Sequence, residues 1–196
     1  MLEFKSGQIL IFNKNPISIL DYKIAKTQAD TTKTHVAMVG LNPNMIWTTN
    51  ANTKFTSKYP FVRFEYGKKN IYEYIKGRTF DVAEFVEPLT HNELLRIENL
   101  HNGWKGQNYG FDVLNKLIMK SYYAGFVSQV HYPAEKPTEV KNPICSEAVT
   151  ACAWLVGRDL CKDLGKLEPA AVTPENIHVA SLYGDVIKSV AREVKL

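Results

Sequence analysis

The sequence has no long hydrophobic run, no block of one charge and no export signal. No apolar stretch approaches the roughly 18–20 residues that a membrane span requires. The N-terminus lacks a basic stretch followed by an apolar segment and a cleavage site, so we expect no signal peptide. The 24 Lys and Arg and 20 Asp and Glu residues are interspersed and leave a net charge of +4. We therefore expect no nucleic-acid partner, and a cytoplasmic or virion-associated protein.

Cysteine is scarce, and the three cysteines lie close together at Cys145, Cys152 and Cys161. No CxxC pair exists and no histidine stands at zinc-finger spacing from them, so we expect no metal and no other cofactor. Spacings of seven and nine along a predicted helix do not point the thiols at one another, so no disulfide is expected. Three reduced thiols are typical of a reducing compartment.

Internal repeats, low-complexity tracts and Gly/Ser linkers are also absent. The chain has 196 residues, of which 45% are hydrophobic and 22% charged. This balance is typical of a globular protein with a sizeable core. We predict one domain spanning residues 1–196.

The first half of the chain has the hydrophobic patterns of strands. Gly, Pro and Asn turn signals separate the apolar or alternating runs. The predicted strands are "GQILIF" (7–12), "HVAMVGL" (35–41), "FVRFEY" (61–66), "IYEYI" (71–75) and "FDVAEFVEP" (80–88). The third and fourth are predicted to form a hairpin around "GKKN". Residues 45–58 are predicted to be a strand remnant plus a loop, and whether 13–34 forms a lid stays open.

The second half has helical spacing. Helices are predicted over 90–104, 111–126 and 144–160, and the C-terminal tail is predicted to end in a short amphipathic segment. Thr90 followed by Glu93 indicates a capping box at the first helix. Strands followed by helices predict an α+β fold, with an antiparallel sheet of four to six strands packed against the C-terminal helices.

The stretch "NPICSEAVTACAW" (142–154) places Cys145 at a predicted helix N-terminus. The N–H groups and dipole at that position stabilise an anion, which lowers the pKa of a thiol and favours the nucleophilic thiolate. The same N–H groups can stabilise a tetrahedral intermediate. Cys145 also shares an apolar helical face with Val149 and Cys152, which indicates a core residue instead. Both interpretations stay open here, whereas Cys152 and Cys161 are predicted to be core.

A nucleophilic cysteine needs a base, usually histidine, and a group that orients the base. The candidates are His35, His91, His101, His131 and His178. His35 begins an apolar strand, where a site could form, while His91 and His101 are predicted to lie on the surface. Glu65 interrupts an alternating strand before a turn, although it could equally belong to a solvated face. Because 110 residues separate His35 from Cys145, spacing alone cannot join them.

Several stretches, in this order, resemble the circularly permuted branch of the NlpC-type papain-like hydrolases, the YiiX-like proteins. They are "GQILIF", "THVAMVG", "VRFEYGKKNIYEYIKGRTFDVAEF", "NYGFDVLNKL", "PICSEAVTACAW" and "VTPENI". The resemblance spans the chain from about residue 7 to residue 177. It implies a circularly permuted papain-like fold.

By this resemblance, Cys145 is similar to the family nucleophile, His35 to its general base and Glu65 to the acid that orients the imidazole. Ser146, Gln8 and Tyr109 are expected to line the site or its oxyanion hole. The chain departs from the family pattern at Gln8, where Asp is usual, and at Thr34, where Ser is common. The change at Gln8 puts the local geometry of the site in doubt.

Three functions follow as hypotheses. The first is a cysteine amidase or peptidase that works through a thioester acyl-enzyme, with a small peptide or amide such as cell-wall peptide as substrate. The second keeps the same residues but acts on lipid acyl groups, as a thioesterase or acyltransferase. The third is a non-catalytic papain-like module that binds a partner or builds a structure such as a viral particle.

Overall fold

The structure, a computed structural model, describes residues 3–14, 32–56, 59–107, 136–141, 143–165 and 172–195. For 49–56, 59–65 and 162 it describes the backbone only. The helix predicted over 111–126, the site residue Tyr109 and His131 lie outside the described residues. So does most of the segment 13–34.

A six-stranded antiparallel sheet forms the centre of the described structure. Its spatial order is β4-β3-β2-β1-β5-β6. The strands are β1 (Ile9–Asn13), β2 (Lys33–Val39), β3 (Met45–Thr56), β4 (Tyr59–Asn70), β5 (Thr79–Phe85) and β6 (Ile187–Lys195). With helices packed on this sheet, the predicted α+β class and antiparallel sheet are confirmed.

The hairpin lies earlier in the chain than the sequence pattern predicted. β3 pairs with β4 from Met45 opposite Asn70 to Thr56 opposite Tyr59. The segment 45–58 is predicted as a strand remnant plus a loop, but its described residues 45–56 form the long strand β3. Thr, which is frequent in this stretch, is a β-branched residue that suits a strand as well as a loop.

Residues Ile71–Ile75, predicted as the returning strand, form the short helix α1. The side chain of Asn70 accepts hydrogen bonds from the backbone N–H groups of Tyr72 and Glu73, which is the geometry of a helix N-cap. Ile71 and Ile75 are both buried, because four residues of helix return them to the same face. The "IYEYI" alternation therefore belonged to a helical turn and not to a strand.

Helices α2 (His91–Trp104), α3 (Cys145–Leu155), α4 (Leu160–Asp163) and α5 (Pro174–Tyr183) follow, with a 3₁₀ turn at Pro137–Glu139. The predicted capping box is present at α2, where the side chain of Thr90 accepts from the N–H of Glu93 and the Glu93 carboxylate accepts from Thr90. The predicted helix 144–160 ends early at Leu155. Gly157 follows with a φ of 78°, a left-handed conformation that terminates helices.

The tail contains strand β6, which the sequence analysis missed. It pairs with β5 from Ile187 opposite Phe85 to Lys195 opposite Thr79. Most of its side chains are at least partly exposed, so its apolar signal is weak. Charged residues such as Lys188 and Arg192 suit an edge strand, because they oppose pairing with another sheet.

The two faces of the sheet bury separate clusters. The helix-side cluster packs α2, α3 and α5 on one face and includes Ile9, Ile11, Val36, Met38, Trp47, Tyr66, Leu100, Trp104, Cys145, Cys152 and Ile177. The opposite-face cluster packs α1 on the other and includes Phe4, Leu10, Phe12, Ala37, Val39, Ile46, Ile71, Ile75, Phe80 and Val82. Successive side chains of a strand alternate between faces, and β2 supplies Val36 and Met38 to one cluster and Ala37 and Val39 to the other.

Candidate functional site

Cys145 is the first residue of α3, at the helix start that the sequence predicted. Ile144 precedes it as an extended N-cap, and its N–H donates to the carboxylate of Glu147 at 3.3 Å. The Cys145 side chain is 4% exposed and belongs to the helix-side cluster. The thiol therefore lies at the positive end of a helix dipole and also packs in the core.

Ser146, which is expected to line the site, makes a buried hydrogen bond within the fold. It is fully buried, and its hydroxyl donates to the carbonyl of Val172 at 2.7 Å. This bond connects the start of α3 to the segment that leads into α5. The hydroxyl is thus used within the fold.

Gln8 lies at the other end of the sheet from His35. Its backbone carbonyl accepts from the N–H of Val39 at 2.8 Å, and Val39 stands four positions beyond His35, about 13 Å along β2. Its side-chain oxygen accepts from the N–H of Lys5 at 2.9 Å. A site-lining role for Gln8 would require it to lie near His35. The structure does not bring these two residues together.

His35 points to the face of the sheet away from α3. Its ring packs against Phe12 of the opposite-face cluster at 5.7 Å between centroids. Its Nε2 atom lies 2.8 Å from Thr48 Oγ1 and 3.0 Å from the Tyr74 hydroxyl. Cys145 belongs to the cluster on the other face. The described structure thus places the predicted nucleophile and base on opposite faces of the sheet. His35 and Ala37 are two positions apart on β2 and point to the same face, whereas Val36 points to the face that carries α3.

Burial and, to a smaller extent, the nearby positive charge of Arg78 lower the pKa of His35 to about 3. The imidazole is therefore neutral at pH 7. Thr48 and Arg78 donate hydrogen bonds to the Tyr74 oxygen at 3.1 and 3.3 Å. His35 Nε2 and the two hydroxyls thus share one hydrogen-bond network.

Beside this group, β2 and β3 pair over a short stretch. β2 and β3 are paired at Met38–Trp47 and Val39–Ile46, and along their described lengths no further pairs join them towards His35 and Thr48. Burial is the main cause that raises the pKa of the Tyr74 hydroxyl. The positive charge of Arg78 and the hydrogen bond from Thr48 lower this pKa, and the negative charge of Cys145 raises it.

His101, predicted to lie on the surface, is fully buried. Its Nδ1 lies 2.6 Å from the Tyr66 hydroxyl, its Nε2 lies 3.4 Å from Cys152 Sγ, and its ring stacks on Trp47. Burial lowers its pKa to about 3. The sequence does contain a signal for this burial. Ile97, Leu100 and Trp104 recur at helical spacing around His101, which places His101 on the apolar face of α2. His91 is exposed, as predicted.

The other two cysteines are core residues, as predicted. Cys152 is fully buried and Cys161 is 7% exposed. Burial raises the pKa of Cys152 well above its ordinary value, which makes this thiol a poor source of thiolate. All three thiols are free of disulfides, as predicted.

A second buried polar group ties α5 to the sheet. The Asp81 carboxylate oxygen Oδ2 lies 2.5 Å from Lys33 Nζ and 3.1 Å from His178 Nδ1, and Oδ1 accepts from the N–H of Glu193. Lys33 also donates to Asn13 at 2.6 Å. Sequence reasoning missed Asp81, because a single acid in an apolar strand gives no periodic signal.

Glu65, the predicted orienting acid, lies on β4 opposite Asn50. Its side chain lies outside the described atoms, as does the whole of Tyr109. The predictions for these two residues thus stay predictions.

An open cavity of about 470 Å³ lies between α2, the 3₁₀ turn and α3. Leu100, Trp104, Val140 and Leu155 supply its apolar lining, and Arg96 and Lys141 supply positive charge. Trp104 Nε1 donates to the carbonyl of Val140 at 2.8 Å. The volume falls within the range of small-molecule sites.

In the described part of the chain, no group of three His, Cys, Asp or Glu side chains is placed to hold a metal ion. Among the same residues, no helix has both the length and the apolar composition of a membrane span.

The comparisons with known proteins rest on structure. No protein-family model and no curated protein sequence matches the chain. The fold is similar to the crystal structure of metalloprotein YiiX from Escherichia coli O157:H7, with a TM-score of 0.50 and 14% sequence identity over 98% of this chain and 99% of that chain. This likeness supports a YiiX-like fold. The described residues do not form a metal site that would match the description of YiiX as a metalloprotein.

Proposed function

We propose that this protein is a cysteine hydrolase that cleaves an amide bond, with Cys145 as the nucleophile. The observation that carries the proposal is the position of Cys145 at the first residue of α3, in a fold similar to that of YiiX. The N–H groups of a first helical turn have no partners within the helix, so they can stabilise a thiolate and an oxyanion. A small peptide or amide, such as cell-wall peptide, is the proposed substrate.

In the proposed reaction, Cys145 loses its proton to a base, the role that the family resemblance gives to His35, and its sulfur attacks the carbonyl carbon. Because the two side chains pack on opposite faces of the sheet, the reaction requires a conformation in which they meet. The tetrahedral intermediate collapses to a thioester as His35 returns the proton to the leaving amine. Water then attacks the thioester and releases the acid, which restores the thiol. Glu65 is proposed to orient the imidazole, on the resemblance of "FVRFEY" to the family's acid-bearing strand.

The first test is alkylation by limiting iodoacetamide across pH, with each cysteine followed by mass spectrometry. Free thiols titrate near pH 8.5, and activated ones at roughly 3.5–7.5. Cys161 is the internal control, because its exposure of 7% is comparable with the 4% of Cys145. We expect Cys145 to react fastest below about pH 7, and His35→Ala to remove this advantage.

Equal labelling of Cys145 and Cys161 at every pH would contradict the hydrolase. It would favour the non-catalytic module, to which the placement of His35 on the far face of the sheet also lends support.

The lipid acyl alternative draws on the cavity beside Trp104. Its apolar lining and its positive charges, Arg96 and Lys141, suit an acyl chain that carries an anionic group. The same preparation, offered a peptide amide and a fatty-acyl thioester, separates the two chemistries. Turnover of the thioester alone, lost in Cys145→Ala, would replace the amidase proposal with the acyl one.

A further inference from the structure

We propose that the cavity beside Trp104 binds a free fatty acid of medium chain length, without a covalent bond to the protein. The inference goes beyond the proposed hydrolase function, because it involves neither Cys145 nor a reaction. It rests on the shape of the cavity, on its apolar lining and on the charge of its two basic residues.

The cavity is elongated, because it follows two helices that run in opposite directions. Arg96 Nη2 donates to the carbonyl of Leu155 at 2.7 Å, so the first half of α2 lies beside the end of α3. Trp104 Nε1 donates to the carbonyl of Val140, so the end of α2 lies beside the segment that leads into α3. Eight positions separate Arg96 from Trp104, which is about 12 Å of helix at 1.5 Å per residue.

The walls and the volume of the cavity suit an apolar chain. Its apolar lining is Leu100, Trp104, Val140 and Leu155, and all four belong to the helix-side cluster or pack against it. At about 30 Å³ per non-hydrogen atom, the value for liquid water, the volume of about 470 Å³ holds roughly fifteen such atoms, about as many as a fatty acid of about twelve carbons has.

The charge of the cavity favours a carboxylate. Arg96 and Lys141 line it, and none of the described lining residues is acidic. Within the described structure, neither cation forms an ion pair with a carboxylate. The bond to Leu155 holds Arg96 at the cavity and uses one of its five N–H donors, which leaves others for a charge-assisted bond. Both cations are exposed, so the carboxylate is expected at the mouth and the chain along the apolar wall.

Gly103 provides a way to fill the cavity without disturbing the core. It lies in the last turn of α2 and lines the cavity. A Cβ atom at this position would meet no other atom within 4 Å. A larger side chain is therefore accommodated there, in the space that the proposed ligand occupies. Asn102, the preceding residue, is exposed and lies outside the cavity lining.

The first test is isothermal titration calorimetry of decanoate, below its micelle concentration, into the Cys145→Ala protein. This background removes any turnover by the proposed nucleophile. We expect one saturable site. Gly103→Leu should abolish binding, because the leucine side chain occupies the cavity. Asn102→Leu, the same new side chain one position earlier, should bind decanoate as the parent does.

The second test addresses the charge. Arg96→Gln and Lys141→Gln should each weaken decanoate binding by about three- to ten-fold, because each removes one exposed cation from the carboxylate. Lys105→Gln, at an exposed position of α2's C-cap outside the cavity lining, is the control and should have no effect. Decanol, which has the chain without the charge, should bind the parent more weakly than decanoate.

Thermal unfolding of each variant checks that it folds, and the charge variants give a separate test if Gly103→Leu does not fold. Loss of binding in Gly103→Leu but not in Asn102→Leu supports the inference. No saturable binding up to about 1 mM decanoate, or binding that Gly103→Leu leaves unchanged, overturns it. Equal affinities for decanoate and decanol overturn the assignment of the ligand as a carboxylate. None of these results bears on the hydrolase, which the alkylation of Cys145 tests separately.

Discussion

Two histidines are held neutral inside the protein, and their neutrality has consequences for stability. His35 is bonded to hydroxyls of Thr48 and Tyr74, and His101 is bonded to the Tyr66 hydroxyl beside Cys152. For both, burial is the main cause that lowers the pKa to about 3. An unfolded chain protonates the same groups near pH 6.5. Acid therefore favours the unfolded chain.

We predict that the free energy of unfolding falls as the pH is lowered from about 6.5 towards 4. The stability due to each neutral histidine is complete above its unfolded pKa and is lost as the pH falls towards its folded pKa. The expected slope is about 1.4 kcal/mol per pH unit for each group. Urea unfolding of His101→Gln should show a slope smaller by that amount, with exposed His91→Gln as the control. An unchanged slope in His101→Gln would show that His101 is not the group responsible.

At the scale of elements, a short helix decides where the proposed base is held. α1 supplies Tyr74 to the His35 group, and it buries Ile71 and Ile75 against the opposite-face cluster. A helix of five residues is too short to be stable by itself. Its N-cap and its two isoleucines therefore carry much of its stability.

We predict that Asn70→Ala lowers the stability of the protein by about 1 kcal/mol, because it removes the two N-cap hydrogen bonds to Tyr72 and Glu73. Asn102→Ala, at an exposed position in the last turn of α2, is the matched control and should have little effect. The measurement is the urea midpoint at pH 7. Equal effects of the two substitutions would mean that the cap contributes nothing specific.

At the scale of the whole molecule, Asp81 connects parts of the chain that are far apart in sequence. Its carboxylate contacts Lys33 of β2, His178 of α5 and the backbone of β6. Both Asp81 and Lys33 are buried. A buried charge that loses its partner is costly, because the low-dielectric interior does not solvate it.

We predict that Asp81→Asn destabilises the protein by about 3–5 kcal/mol, since it removes the negative charge that is buried against Lys33 and His178. Removal of the partly exposed Lys188–Glu84 pair by Lys188→Gln should cost less than about 1 kcal/mol. Thermal unfolding of the two variants side by side gives the comparison. A loss below about 1 kcal/mol for Asp81→Asn would mean that Lys33 finds other partners or water.

Part of the fold follows from local rules of the sequence. The α+β class, the strands β1, β2 and β5, the capping box of α2 and the start of α3 at Cys145 depend on periodicity, turn residues and caps. These act over a few residues and so can be read in order along the chain. The burial of Cys152 is similarly local, because its helical face is apolar.

The tertiary structure decided what local rules do not reach. It placed β3 beside β4, made "IYEYI" a helix and added β6 at the edge, since strand pairing joins distant segments. It also buried His101, and it directed His35 to the face away from Cys145. The sequence alone thus identified a helix-start cysteine and a strand-start histidine as candidates. Whether they share a face was decided by the register of β2 in the sheet, because one position along a strand reverses the face.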